Sequence, residues 1–174
     1  MKRLLLPLLS FALCLTVSAD EPAKAAGKFS TEYEGHTYTF ADEASLAKWK
    51  AQREASLYQQ IGGKAAMDAA IEIFYKKVLA DNRIKHFFDD VDMVRQSAKQ
   101  KQFLSAAFGG PIPWDGKDMR KAHAKLTLND SHFNAVAENL KATLLELKVK
   151  QELIDKVLAI AESTRNDVLN RPAN

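Results

Sequence analysis

The sequence has 174 residues, 47% of them hydrophobic and 27% charged, with a formal net charge of +3. That is chain enough for one core plus a small appendage, in the composition of a soluble globular protein. A single cysteine excludes a disulfide framework, a thiolate zinc site and an iron–sulfur cluster. Residues 1–19, MKRLLLPLLSFALCLTVSA, open on Lys2 and Arg3, run apolar from Leu4 to Val17 and end on Ser18 and Ala19. This is the pattern of a secretory signal peptide cleaved after Ala19, too short for a comfortable membrane span. The expected location is periplasmic or secreted. Leu13 stands before Cys14 where a lipoprotein signal wants a small residue. Removing Lys2 and Arg3 leaves 23 of the 25 basic residues against 22 acidic ones, a charge of +1. Such a mature chain has no electrostatic case for binding nucleic acid or a membrane. With Cys14 gone it has no thiol, so any metal must be held by His, Asp, Glu or Lys.

Residues 20–28, DEPAKAAGK, read as a flexible leader. Residues 29–54 read as a small hairpin-helix extension. In FSTEYEGHTYTF, residues 29–40, the alternation about Glu34-Gly35-His36 predicts a β-hairpin carrying Phe29, Tyr33, Tyr38 and Phe40. A helix from about Glu43 to Arg53 follows, with Leu46 and Trp49 on one face. The unit is too small to fold alone and is expected to pack on its neighbour. Its Tyr33-Glu34-Gly35-x-x-Tyr38-x-Phe40 resembles the start of a YHS-type module, without the metal-binding cysteines such modules often carry.

From 55 to 170 the pattern is helical, with a tail at 171–174. Ser56-Leu57-Tyr58-Gln59 predicts a capping box, and Gly62-Gly63 a break. Met67, Ile71, Phe74 and Val78 form one face of the next helix. HFFDDVD, residues 86–92, is a tight corner. A helix over 93–108 stops at Gly109-Gly110-Pro111. The loop PIPWDGK leads to a short helix near Asp118 to Leu126, and Asn129-Asp130-Ser131 offers N-caps for another. That helix lines Phe133, Val136, Leu140, Leu144 and Leu147 on one face. A last one carries Ile154, Val157, Ala161, Thr164 and Val168.

The helix over 93–108 has polar residues where its inner stripe should be apolar. Gln96 and Gln100 stand one turn apart on or beside that stripe, and Tyr75, beside Phe74, can also point inward. Buried amides and phenols need hydrogen-bond partners. Periodicity leaves two readings open: a polar boundary facing water, or a cluster of donors around a ligand. Phe87 and Phe88 read as core, His36 as a turn residue, His86 as a helix end and His132 as a helix start. His123 reads as a solvent-facing histidine or a metal ligand.

Taken together, SLYQQIGG, FYKKVLAD, HFF, RQSAKQKQFL and FGGPIPWDGKDMRKAH, in this order and spacing, resemble the group I truncated (2/2) haemoglobins from about Ser56 to Leu169. The resemblance implies an all-α two-over-two helical sandwich around non-covalent haem b. It implies His123 as the proximal iron ligand, with its other nitrogen donating to a backbone carbonyl. It puts Tyr75, Gln96 and Gln100 at the distal positions and Phe88 at the haem-packing phenylalanine. Met119, Phe103, Leu104 and Phe133 become candidate pocket walls. Lys99 and Lys125 could reach the propionates from the rim, and a neutral Lys99 amine could fill the sixth iron position. The family's glycine just past the histidine is absent from AHAKLTLND. The last helix has no histidine to link a haem vinyl, and there is no Cys-x-x-Cys-His for c-type attachment.

The resemblance implies O2, NO and CO as ligands. Donors aimed at bound O2 would hold it, each charge-assisted bond being worth about 1.5–3 kcal/mol, or roughly 10- to 150-fold in release rate. Slow release favours chemistry on O2, such as nitric-oxide dioxygenase or peroxidase-like activity, over delivery. The electron donor would be external and is unknown, since no Gly-x-Gly-x-x-Gly fingerprint is present. A store or sensor without turnover, and an exported interaction protein docking a partner through the extension, are the other readings.

Overall fold

The computed structural model describes residues 29–172, so the expected signal peptide, the leader at 20–28 and residues 173–174 lie outside it. Strands β1 (Ser30–Tyr33) and β2 (His36–Thr39) pair antiparallel, Tyr33 opposite His36 and Thr31 opposite Tyr38. The turn between them is Glu34-Gly35, both at positive φ (50° and 83°), the conformation that matches strand twist in a two-residue hairpin. Tyr33 and Tyr38 share one face, and helix α1 (Glu43–Glu54) brings Trp49 against it. The rings of Tyr33, Tyr38 and Phe40 lie 5.7, 4.6 and 5.6 Å from that of Trp49, which holds the hairpin on the helix.

Ser56 caps the short α2 (Leu57–Gln60) by accepting from the Gln59 amide. The expected capping box is only half made, because Gln59 Oε1 accepts from the Tyr33 hydroxyl instead. Gly62 and Gly63, at φ 111° and 62°, turn the chain into α3 (Gly63–Ala80), which buries Met67, Ile71, Phe74, Tyr75 and Val78 along one stripe. A 3-10 turn at Lys85–Phe88 leads to α4 (Met93–Ala107), capped by Asp92. After the loop come α5 (Met119–His123), α6 (Asp130–Glu146), α7 (Gln151–Ser163) and α8 (Arg165–Val168). Helix α5 stops at His123 rather than at Leu126. The expected last helix breaks at Thr164, whose hydroxyl donates to the Ala161 carbonyl.

Helix α3 packs against both α4 and α6, and α6 against α7. The core between them is Met67, Ile71, Val78, Leu144, Ile154 and Val157, closed by Ile84. The stripe of α6 is set by this packing. Ala135 is fully buried and Val136, expected inside, is 38% exposed. A small side chain lets the helix approach its neighbours closely and turns the bulkier one to the edge. Helix α4 buries only Ser105 completely; Gln96, Gln100, Phe103 and Leu104 on its inner side are half-buried.

Candidate functional site

Tyr75 reaches the site from α3. It is 6% exposed, and its ring meets those of Phe74 at 5.3 Å and Phe88 at 6.0 Å. Its hydroxyl oxygen accepts a 3.1 Å hydrogen bond from Gln96 Nε2 on α4. The oxygen being an acceptor here, the phenolic hydrogen stays free to be donated elsewhere. Burial pushes the Tyr75 pKa up, and the Gln96 bond pulls it partly back. Gln100 lies one turn further along α4, half-buried, with no hydrogen-bond partner among the described residues. The rotation of α4 is set by its neighbours in sequence: Lys101 pairs with Asp68 on α3 at 2.5 Å, and Gln102 ties back to the following loop. Lys99 is left exposed, without an ion pair among the described residues. Exposed Lys125 is in the same position.

His123 stands on α5, whose cap Asp118 accepts from the Lys121 amide at 2.8 Å. One turn in, His123 Nδ1 lies 2.7 Å from the Met119 carbonyl oxygen. A carbonyl can only accept, so Nδ1 carries the hydrogen and donates it. The neutral ring then keeps the lone pair on Nε2, the tautomer a metal ligand needs. No left-handed glycine is required after it. Ala124 continues in right-handed geometry, and the Leu126 amide donates to the His123 carbonyl at 2.9 Å.

The other histidines serve elsewhere. His132 Nδ1 accepts from the Asn129 amide and completes the capping box of α6. His86 stacks on Phe87 at 4.2 Å, and His36 lies exposed at the start of β2. Of the expected wall residues, Phe88, Phe103, Leu104 and Met119 are half-buried. Phe88 and Leu104 pack on the core, while Phe103 meets the edge of Trp114 in the loop at 5.6 Å. Phe133 is buried, and the Arg165 guanidinium covers its ring at 4.1 Å.

Two features escaped the sequence reading. Trp114 packs on Phe103, and a charged cluster holds α5 from outside. Arg120 donates to Asp167 and to the Arg171 carbonyl, both at 2.7 Å. Arg165 and Arg171 both pair with Asp130. Nothing in periodicity or spacing joins residues so far apart.

The donor set restricts what could bind. Among the described residues no group of three or more His, Cys, Asp or Glu side chains could hold a metal ion. A lone imidazole is too few ligands for a free ion. It fits a metal that arrives with nitrogen ligands of its own in an apolar group, which the half-buried Phe88, Phe103, Leu104 and Met119 could wall. The residues present therefore fit haem.

Comparison with known proteins agrees. Residues 56–170 match the family model for bacterial-like globins. The chain is 50% identical to the group 1 truncated haemoglobin GlbN of Synechocystis over 123 residues, 67% of this chain and 99% of that one. Truncated haemoglobin of Tetrahymena pyriformis in the Fe(III) form superposes with a TM-score of 0.64 at 46% identity, over 66% of this chain and 97% of that one. The 2/2 haemoglobin of Synechococcus, solved in the cyanomet state with covalently attached haem, gives 0.65 and 52%, over 67% of this chain and all of that one. The fold is that of a haem-binding globin, and the chain belongs to the bacterial-like globin family. Within it, the chain's relatives are the group 1 truncated haemoglobins.

Proposed function

We propose that His123 ligates the haem iron through Nε2 and that Tyr75, Gln96 and Gln100 form the hydrogen-bonding wall across from it. In this reading the protein holds a diatomic ligand tightly and uses it in redox chemistry. Oxidation of nitric oxide by O2 to nitrate fits; it consumes one electron, which an external donor must supply. When bound, haem supplies an iron able to take O2, NO or CO. The observation that carries the reading is the Gln96–Tyr75 bond, which orients the phenol and leaves its hydrogen to donate. Gln100 brings a second, unengaged amide. Solved variants of the Tetrahymena pyriformis protein replace one tyrosine and two glutamines. Those glutamines follow their tyrosine at the same separations as Gln96 and Gln100 follow Tyr75 here.

Lys99 and Lys125 are assigned to the propionates. As sixth ligand, Lys99 would have to lose its proton and turn inward from an exposed position. The haem is held without a covalent link, since α7 and α8 contain no histidine. The N-terminal signal pattern supports a periplasmic or secreted mature chain. Among the described residues no helix is long and apolar enough to cross a membrane. Storage or sensing of O2 or NO without turnover is the alternative. Sustained nitrate formation with a reducing system separates the two.

The primary test is absorption of the chain with added haemin: ferric, ferrous, and ferrous plus CO. The expected result is one haem per chain and a Soret band that shifts on CO. In His123→Ala the stoichiometric binding or the histidine-type ferrous spectrum is lost. An unchanged ferrous spectrum in that variant would remove His123 from the iron.

A further inference from the structure

The hairpin and α1 precede the region shared with the globin family, yet their polar side chains converge on one place inside it. The Tyr38 hydroxyl donates to the Pro111 carbonyl at 2.7 Å. Arg53 Nη1 donates to the carbonyls of Gly109 and Gly110, at 2.5 and 2.6 Å. Three consecutive carbonyls are thus gripped by the appended unit. They open the segment that runs from α4, which bears Gln96 and Gln100, to α5, which bears His123.

The grip is built at both ends. The Arg53 guanidinium lies over the Trp49 ring at 5.3 Å, and Trp49 is itself ringed by Tyr33, Tyr38 and Phe40. Arg53 Nε is buried without a partner among the described residues, so this charge has given up water to reach the two carbonyls. Such a group stays only if the bonds it makes are strong ones. On the loop side, Gly109 has φ +78°. A Cβ on Gly110 would stand 2.4 Å from Ser105 Oγ and 2.9 Å from a Tyr58 ring carbon. Only bare backbone fits here, between α2 and α4. Beyond the grip the loop is tied to α4 again: Gln102 donates to the Pro113 carbonyl and to Asp115, and Trp114 lies on Phe103.

We propose that the hairpin and α1 act as a strap on this loop, with Arg53 and Tyr38 as positioning residues. By holding Gly109–Pro111 they set how far the His123 helix stands from α4, and so how firmly the pocket closes on haem. The proposal rests on the haem reading of His123. The extension is then part of the cofactor site rather than a free docking module.

The test uses the full chain, with Arg53→Met, Tyr38→Phe and the double variant. Arg53→Met keeps the stem over Trp49, and Tyr38→Phe keeps the stacked ring. Amide hydrogen exchange is followed across residues 109–126 in haem-free and haem-loaded protein. Haem loss is timed by transfer to an excess of a haem-accepting apoprotein. Arg53→Met, which removes both charged bonds, should speed loop exchange and haem loss each by about tenfold or more, and Tyr38→Phe, which removes a neutral bond, each by roughly fivefold, with the Soret position unchanged. Arg53→Lys, which can still reach one carbonyl, should fall between. Loop exchange and haem loss both within about twofold of the parent would overturn the strap and favour partner docking. Faster exchange with unchanged haem loss would overturn its coupling to the pocket. Faster haem loss with unchanged loop exchange would overturn the loop as the route. If the double variant does not fold, Tyr38→Phe alone decides. Loop exchange in the haem-free chain tests the strap even if haem fails to bind.

Discussion

On the proposed reading, Tyr75 is the residue on which ligand retention turns. Its oxygen is occupied by Gln96, and its ring is fixed between Phe74 and Phe88. The one remaining freedom is where the phenolic hydrogen points. Replacing Tyr75 by Phe removes that donor with little loss of volume. O2 release, followed by stopped flow, should quicken by roughly 10- to 150-fold, the equivalent of about 1.5–3 kcal/mol. An unchanged rate would show that Tyr75 does not touch the ligand. Burial raises the Tyr75 pKa above its ordinary value of 10.0. The phenol is therefore kept, and its contribution is lost only as pH rises through the raised folded value. Release should stay flat between about pH 7 and pH 10.

Helix α5 has five residues, too few to persist on local hydrogen bonds alone. It packs on α8 and is held there by Arg120, while α8 and the following residues are held to Asp130 by Arg165 and Arg171. The Arg171 and Arg165 bonds keep the Asp130 carboxyl below the usual carboxylate range. The Lys121 amide does the same for Asp118, and Arg165 for Glu162. A depressed folded pKa contributes stability above the unfolded value and loses it as pH falls through the folded one. Acidification from about pH 5 toward pH 2 should therefore release α8 and α5 first. Amide exchange at residues 119–123 and 165–172 is expected to rise before that of α3 and α7. Simultaneous loss of all four helices would show that these exposed pairs hold nothing in place, as is common for surface ion pairs.

At the scale of the molecule, the core formed by α3, α6 and α7 is buried, whereas Phe88 on the 3-10 turn, Phe103 and Leu104 on α4 and Met119 on α5 are only half-buried. A flat apolar cofactor bound there stabilises the folded state by mass action. At a free concentration about 100 times its Kd, this amounts to about 2.7 kcal/mol. For a chain of this size that is roughly 5–10 °C in Tm. Calorimetry with and without one equivalent of haemin should show the rise, and His123→Ala should lack most of it. Equal melting points in parent and variant would mean that haem is held by the walls alone.

The elements were legible in the sequence wherever the signal is local. The stripe of Met67, Ile71, Phe74 and Val78, the stop at Gly109-Gly110-Pro111, the Asn129 cap and the hairpin turn each depend on residues a few positions apart. Period and capping chemistry record them directly. Resemblance to a family supplied His123, Tyr75, Gln96 and Gln100 as a set; periodicity alone left each of them ambiguous. Tertiary structure decided the rest. It paired Gln96 with Tyr75 across 21 residues, Arg120 with Asp167 across 47, and Arg53 with Gly109 across 56. It turned Val136 outward in favour of Ala135, and it diverted Gln59 from its cap to Tyr33. A hydrogen bond between distant residues leaves no repeat in the chain that makes it, because its geometry exists only once the helices between them have packed.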